Sequence, residues 1–329
     1  MASGKYTFSD MLKTIAPDGT TATMINMLAQ NNAIVDDLSW IEGNLPNGNE
    51  STIVTALPDV TIRQYNQGVS NSKATSGKVI DSTIQLATRS SVDVDVHKIA
   101  PNPKEARLID ARYRFEAMAQ KAAQQIFYGV GGTEINGLHT RYAVKSGAAN
   151  SDNILLGGGA GSDNSSIWLI RHEKGKCSGF YPKGSDMGLQ HEDMGKVEDT
   201  DASSNKYTCY VDNWKWDMGF MLPSWWNAVR ICNIDMSNLV AESSAANLPK
   251  LMMKAMDRMP SNSGDAVFYC NRTVMSMLRI QAFNLSGQNS GLTHEASVNQ
   301  YGKNIMEARF FGVPVRIVDQ ILNTEATIS

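Results

Sequence analysis

No apolar run in this chain approaches the roughly 20 residues that a membrane-spanning helix needs. The opening residues, Met1 to Phe8, hold no continuous apolar stretch of the kind a secretory leader requires. No membrane partner is expected, and the chain is expected to be made and kept in the cytoplasm. Cysteine is scarce: Cys177, Cys209, Cys232 and Cys270 in 329 residues, no two of them close in a ligand-like spacing. A chain of this length needs no disulfide staples, so free buried thiols in a reducing compartment are expected. An excess of charge is missing too. The 30 basic and 33 acidic residues leave a net −3, which excludes a global attraction to nucleic acid or to an anionic membrane. With 42% apolar and 19% charged residues the chain is globular, with room for two or three compact units.

The motifs of catalysis are also missing. Gly129-Val-Gly-Gly132 follows a helical pattern, the wrong order for a dinucleotide turn. Gly157-Gly158-Gly159-Ala-Gly161 does follow an apolar run. What comes next, Ser162 to Ser166, does not resemble a phosphate-binding helix, and no Lys-Ser/Thr pair closes the run. A flexible surface loop is the expectation there. His191-Glu192-Asp193 lacks a second histidine one helical turn on, and His97, His139, His172 and His294 are scattered. Ser243-Ser244 carries no nucleophile-elbow pattern. No catalytic, cofactor-binding or metal-binding residue is assigned, and no enzymatic activity is expected.

What is present is an order of shapes. Residues 1–19 are mixed and polar, and Thr21–Leu38 carries Met24, Met27, Leu28, Ile34, Val35 and Leu38 at helical spacing. Residues 50–66 read as an edge or irregular strand because Pro58 interrupts them. Gly68–Gly77 reads as a tip, and residues 79–96 alternate again, so the two strands form a long thin hairpin. An isolated two-stranded hairpin is marginal in water, so this one is expected to find its partner surface on another copy. Asn102-Pro103 then caps a helix that runs to Tyr128 and stops at Gly129. Leu108, Phe115, Ala119, Ala122 and Ile126 share one face of it. About 25 residues make a spine about 38 Å long.

Residues 130–205 read as short strands and loops. Tyr207–Ile234, with Trp214, Trp216, Trp225 and Trp226, reads as a sheet packed on the spine. The tail alternates helix (from Asn247-Leu-Pro249), strand (Asp265–Cys270), helix (from Asn271), polar loop (Asn284–Asn304) and strand (Arg309–Val318), a small α/β unit.

Several stretches resemble the epsilon15-like podovirus capsid family. These are Gly137-Leu-His-Thr-Arg141, Ser165–Ile170, Tyr181–Gly184 with Gly188–Asp193, and Phe268–Arg272 with Phe311–Val315. Their order is similar to that of tailed-bacteriophage major capsid proteins with the Hong Kong 97-like fold, an α+β architecture. That resemblance implies an N-terminal arm (1–45), an E-loop hairpin lying across the adjacent subunit (46–98), and a P-domain (99–137 and 206–240) with its spine at 103–128. It also implies a β-rich insertion (138–205) and an α/β A-domain (241–329) whose final strand could return to the P-domain. The implied function is a major capsid protein that self-assembles into hexamers and pentamers. These would form an icosahedral shell around the double-stranded DNA genome of a tailed phage, assembled in the host cytoplasm and residing in the virion.

Implied partners are further copies of the chain, a cement or decoration protein, a scaffold, a portal, and packaged DNA through non-specific contact. A near-neutral charge suits that last role, because a strongly basic wall would hold DNA too firmly. No isopeptide cross-linking pair is assigned. The alternative is another virion component, a tail or decoration protein, which the β-rich middle allows and the spine helix opposes. A cytosolic hydrolase or nucleotide-binding enzyme rests on the glycine run and the Ser/His/Asp content alone.

Overall fold

A computed structural model of the chain describes residues 30, 32–99, 101–200, 204–259, 266–284, 291–298 and 304–329. Most of the arm and most of the helix expected over Thr21–Leu38 lie outside these residues. The described part of that stretch contains a short helix, α1 (Ala33–Asp37).

The described strands make two sheets. The first has the order β1 (Trp40–Glu42), β6 (Ser178–Tyr181), β8 (Lys206–Met221), β3 (Thr75–Asp93) and β2 (Gly48–Ala56), with β7 (Leu189–Thr200) also paired to β8. The second runs β11 (Leu292–Val298), β12 (Asn304–Phe310), β13 (Val313–Ile317), β10 (Ala266–Cys270), β5 (Asn164–Arg171), β9 (Ala228–Asp235) and β4 (Ile154–Leu156). Between β3 and β4 come α2 (Val94–Ile99), the spine α3 (Pro103–Tyr128) and the single turn α4 (Leu138–Arg141). After β9 come α5 (Met236–Val240), α6 (Leu248–Arg258) and, following β10, α7 (Arg272–Asn284).

The spine begins and ends as its sequence dictates. The Asn102 side chain accepts the Glu105 N–H, Pro103 fills the first turn, and the Gly129 N–H donates to the Gln125 carbonyl. Asn247 and Asn271 cap α6 and α7 in the same manner, through the N–H groups of Lys250 and Val274.

Alternation along β5 builds the core on both sides of the second sheet. Trp168 and Ile170 face one way, into a core with Ala122, Ala123, Ile126 and Phe127 of the spine, Tyr142, Met218, Phe220 and Tyr269. Ile167 and Leu169 face the other way, into a core with Val229, Ile231, Leu248, Met252, Ala255, Val274 and Leu278 under α6 and α7. The apolar run of β5 is continuous because both faces are covered.

The last residues lace the two parts together. Buried Arg230 donates through Nη2 to Glu325 Oε2 at 2.8 Å and through Nη1 to the Tyr142 carbonyl at 2.9 Å. Its guanidinium lies 5.0 Å from the Trp168 ring centre. Ser166 Oγ also donates to Glu325 Oε2, and the Tyr128 hydroxyl donates to Glu325 Oε1 at 2.5 Å. Burial first, and the Glu325 carboxylate next, hold the Tyr128 phenol far above its ordinary pKa, so it stays a donor. Asn233 exchanges two bonds with Ile328, 2.7 and 2.9 Å.

Several expectations are corrected. Residues 138–205 do not form a unit of their own: β4 and β5 belong to the second sheet, β6 and β7 to the first. The 206–240 segment is likewise split, β8 going to one sheet and β9 to the other. Pairing partners are distant in sequence, so composition alone could not sort these strands. Much of the loop expected over Asn284–Asn304 is strand, since β11 and β12 pair antiparallel. The final strand β13 stays in the second sheet between β10 and β12. What returns to the spine is the C-terminal strap after it, where the Leu322 N–H donates to the Tyr128 hydroxyl at 2.9 Å.

Candidate functional site

The feature that one chain cannot account for is the ribbon made by β2 and β3. β3 is a single strand of 19 residues with two different partners. Thr83–Asp93 pairs with β8 inside the first sheet, while Thr75–Ser82 pairs with β2 beyond it. The ribbon is therefore a cantilever continuous with the body.

Its root is fixed tightly. Arg141 Nη2 donates to Asp81 Oδ1 at 2.6 Å, and both side chains are nearly or fully buried. The same guanidinium donates through Nε to the Asn136 carbonyl at 2.8 Å. The Asn49 amide donates to the Met221 sulfur at 3.1 Å. A Cβ on Gly48 would stand 2.6 Å from the Asp81 carbonyl oxygen, so only glycine allows the strands to approach this closely. Asn44 exchanges two 2.7 Å bonds with the Glu50 backbone and holds the turn before β2.

Beyond the root the ribbon changes character. β2 ends at Ala56, two residues before Pro58, and residues 57–74 form the tip without further ladder bonds. The tip is thus longer than the expected Gly68–Gly77, and the strand expected over 50–66 is shorter. Leu57 is 81% exposed, Val60 93%, and Ile62 and Tyr65 97% each. Val54, Val69 and Ile80 are exposed with them. Burying one such side chain is worth about 1.5–3 kcal/mol. Four large apolar side chains this exposed within nine residues, interleaved with polar ones, mark an interaction surface.

The residues weighed for chemistry are placed elsewhere. His191 lies on β7, stacked on Trp214 with ring centres 5.1 Å apart, and its Nε2 is 2.9 Å from Asp212. Asp193 accepts from the Gly195 backbone N–H at 2.8 Å and from Arg107 at 2.9 Å; these donors, in that order, hold its carboxyl below the usual range. Among the described residues no group of three or more His, Cys, Asp and Glu could hold a metal ion. All four cysteines are buried and unpaired. Burial pushes the thiols of Cys177 and Cys270 up to about 12 and that of Cys232 up to about 11, which makes them inert.

The glycine run 157–161 is not the flexible loop expected. Gly157 and Gly159 donate to the Cys232 and Asn233 carbonyls at 2.8 and 2.7 Å. A Cβ on Gly159 would fall 2.3 Å from Asn164 Oδ1, so these glycines let the backbone lie flat against β9. Gly137-Leu-His-Thr-Arg141 supplies the ribbon's anchor, a role that only the fold reveals.

The sequence model of the family described as Major capsid protein GP7 matches residues 16–329. Among solved structures, the bacteriophage epsilon15 structure superposes with a TM-score of 0.80 at 25% identity, covering 100% of this chain and 98% of that one. The bacteriophage JBD30 capsid superposes with a TM-score of 0.51 at 9% identity over 97% of this chain and 99% of that one, a likeness of fold alone. No curated protein matches the chain.

Proposed function

The chain belongs to the Major capsid protein GP7 family and is a shell-forming subunit of a phage virion with the Hong Kong 97-like fold, and from that premise we propose how its shell is held together. The ribbon of each copy lies across a neighbouring copy and buries Leu57, Val60, Ile62 and Tyr65 there. The observation that carries this reading is the near-complete exposure of those four side chains on a rigidly rooted arm. Copies so linked close into rings, and rings of both five and six follow when the head-to-tail contact tolerates a small change in its rotation. Each ribbon adds to several ordinary interfaces of about 1,600 Å², and their repetition makes the shell hard to dismantle even where one contact is weak.

In this reading the E-loop is the ribbon, residues 46–82, shorter than the 46–98 of the resemblance because Thr83–Asp93 is zipped to β8. The spine and the rest of the first sheet form the P-domain, and the second sheet with α6 and α7 forms the A-domain. The role is structural and needs no catalytic group. Packaged double-stranded DNA touches the inner wall without specificity, as the near-neutral charge favours. Scaffold, portal and a cement protein complete the list of proposed partners. Among the described residues no helix is long and apolar enough to cross a membrane.

The test is the double substitution Ile62→Glu with Tyr65→Glu, examined by electron microscopy under assembly conditions. Folded subunits of unchanged circular dichroism that close no shells are the expected result. Normal shells from this variant would refute the reading.

A further inference from the structure

β2 is the end strand of the first sheet, and its outer edge is only half used. Alternate residues of an edge strand turn their backbone groups outward. Gly48 and Glu50 do so here. The Gly48 carbonyl accepts the Leu45 N–H at 3.2 Å, and the Glu50 N–H and carbonyl both bond to the Asn44 side chain. Thr52 and Val54 come next in the same alternation, with the register against β3 unbroken through Val54. No described strand pairs with their outward side. A row of open N–H and C=O groups is a template for another strand.

The same stretch of β2 borders a cavity of about 360 Å³, with Thr52 and Ile53 in one wall and Trp226 in another. Trp226 is exposed yet firmly held. It stacks on Trp225 with ring centres 3.9 Å apart, and the Trp225 carbonyl accepts from the Tyr142 hydroxyl at 2.7 Å and the Asn153 amide at 3.0 Å. A fixed, open tryptophan beside an open strand edge is an anchor point for a partner. Arg171 and Lys176 also line the cavity. They share one carboxylate, Glu173, at 3.4 and 2.7 Å, so a positive charge is left over.

The chain carries a segment that fits this edge. Asp59-Val60-Thr61-Ile62-Arg63 alternates apolar and polar residues and holds three β-branched residues in a row, yet it makes no ladder bonds. Val60 and Ile62 are almost wholly exposed, so the chain's own edge does not take them. Asp59 brings the charge opposite to the surplus at the cavity. We propose that Asp59–Arg63 of a second copy adds as a strand to β2 at Thr52 and Val54, with Val60 and Ile62 laid against Ile53 and Trp226. This rests on the reading that the ribbon lies across a neighbour, and it names the receiving surface: the tip of one ribbon docks on β2 of the next.

Hydrogen exchange at residue resolution reads the edge directly in the parent chain. The Thr52 and Val54 amides should exchange roughly tenfold or more slowly in assembled shells than in unassembled subunits. Ser51 and Ile53, whose N–H groups face β3, should change little. Unchanged Thr52 and Val54 beside a protected tip would sink this inference and leave the ribbon on a neighbour. No gain of protection at either place would sink both.

The buried native thiols make engineered cysteines readable as a second measurement. Shells co-assembled from a Thr52→Cys chain and a Thr61→Cys chain are treated with a short bismaleimide. Covalent dimers joined at 52 and 61, mapped by peptide mass spectrometry, are expected. Protected Thr52 and Val54 without that link would place another segment or another protein on the edge and overturn the proposal. Trp226→Ala, added to both chains, should cut the 52–61 yield several-fold or prevent closure of otherwise folded subunits, and an unchanged yield also overturns it.

Discussion

Arg230 and Glu325 show what a single buried pair does in this fold. Their side chains are almost wholly removed from solvent, and each is satisfied by further partners: Ser166, Tyr142 and Trp168 for the cation, Ser166 and Tyr128 for the anion. Such a pair is weak evidence for net stability, but breaking it leaves a charge stranded. Glu325→Ala should cost about 3–5 kcal/mol, read from the denaturant midpoint. Tyr128→Phe, which removes one donor and leaves the ion pair, should cost about 1–3 kcal/mol. Nothing in the sequence marks this pair. Arg230 stands in a mainly apolar strand and Glu325 in an unpatterned tail, and the two are 95 residues apart.

Elements with local causes were legible before any coordinates. The spine is the clearest case, because its cap, its first-turn proline and its terminal glycine all sit within the segment they define. The caps of α6 and α7 and the free buried thiols were readable for the same reason. Strand partnership was not, since β4 through β9 are distributed between two sheets by contacts far apart in sequence. The ribbon was visible as a hairpin, whereas its anchor was hidden: Asp81 and Arg141 are 60 residues apart and meet only at the root. Arg141→Ala should unpin that root. Amide exchange should accelerate in Gly48–Ala56 and Thr75–Ser82 well before it does in α6, as hydrogen-exchange mass spectrometry would show.

The whole molecule carries a pH limit set by histidine. Burial first, then the Arg107 cation, lowers the pKa of His97; burial first, then the Arg230 cation, lowers that of His139. In the folded chain both imidazoles stay neutral at a pH where the unfolded chain already binds protons. Stability is therefore complete above the ordinary histidine value of about 6.5 and falls as the pH drops below it toward the folded values. The thermal midpoint of unassembled subunits should decline between about pH 7 and pH 5, and His97→Asn with His139→Asn should flatten that slope.

β3 also has a mechanical consequence. Because one strand serves both the ribbon and the body, the proposed grip of a neighbour on the tip would haul on a strand zipped to β8 over Thr83–Asp93. A tug along the strand axis loads that ladder in shear, with its bonds bearing the force together. A sideways tug would peel them one after another.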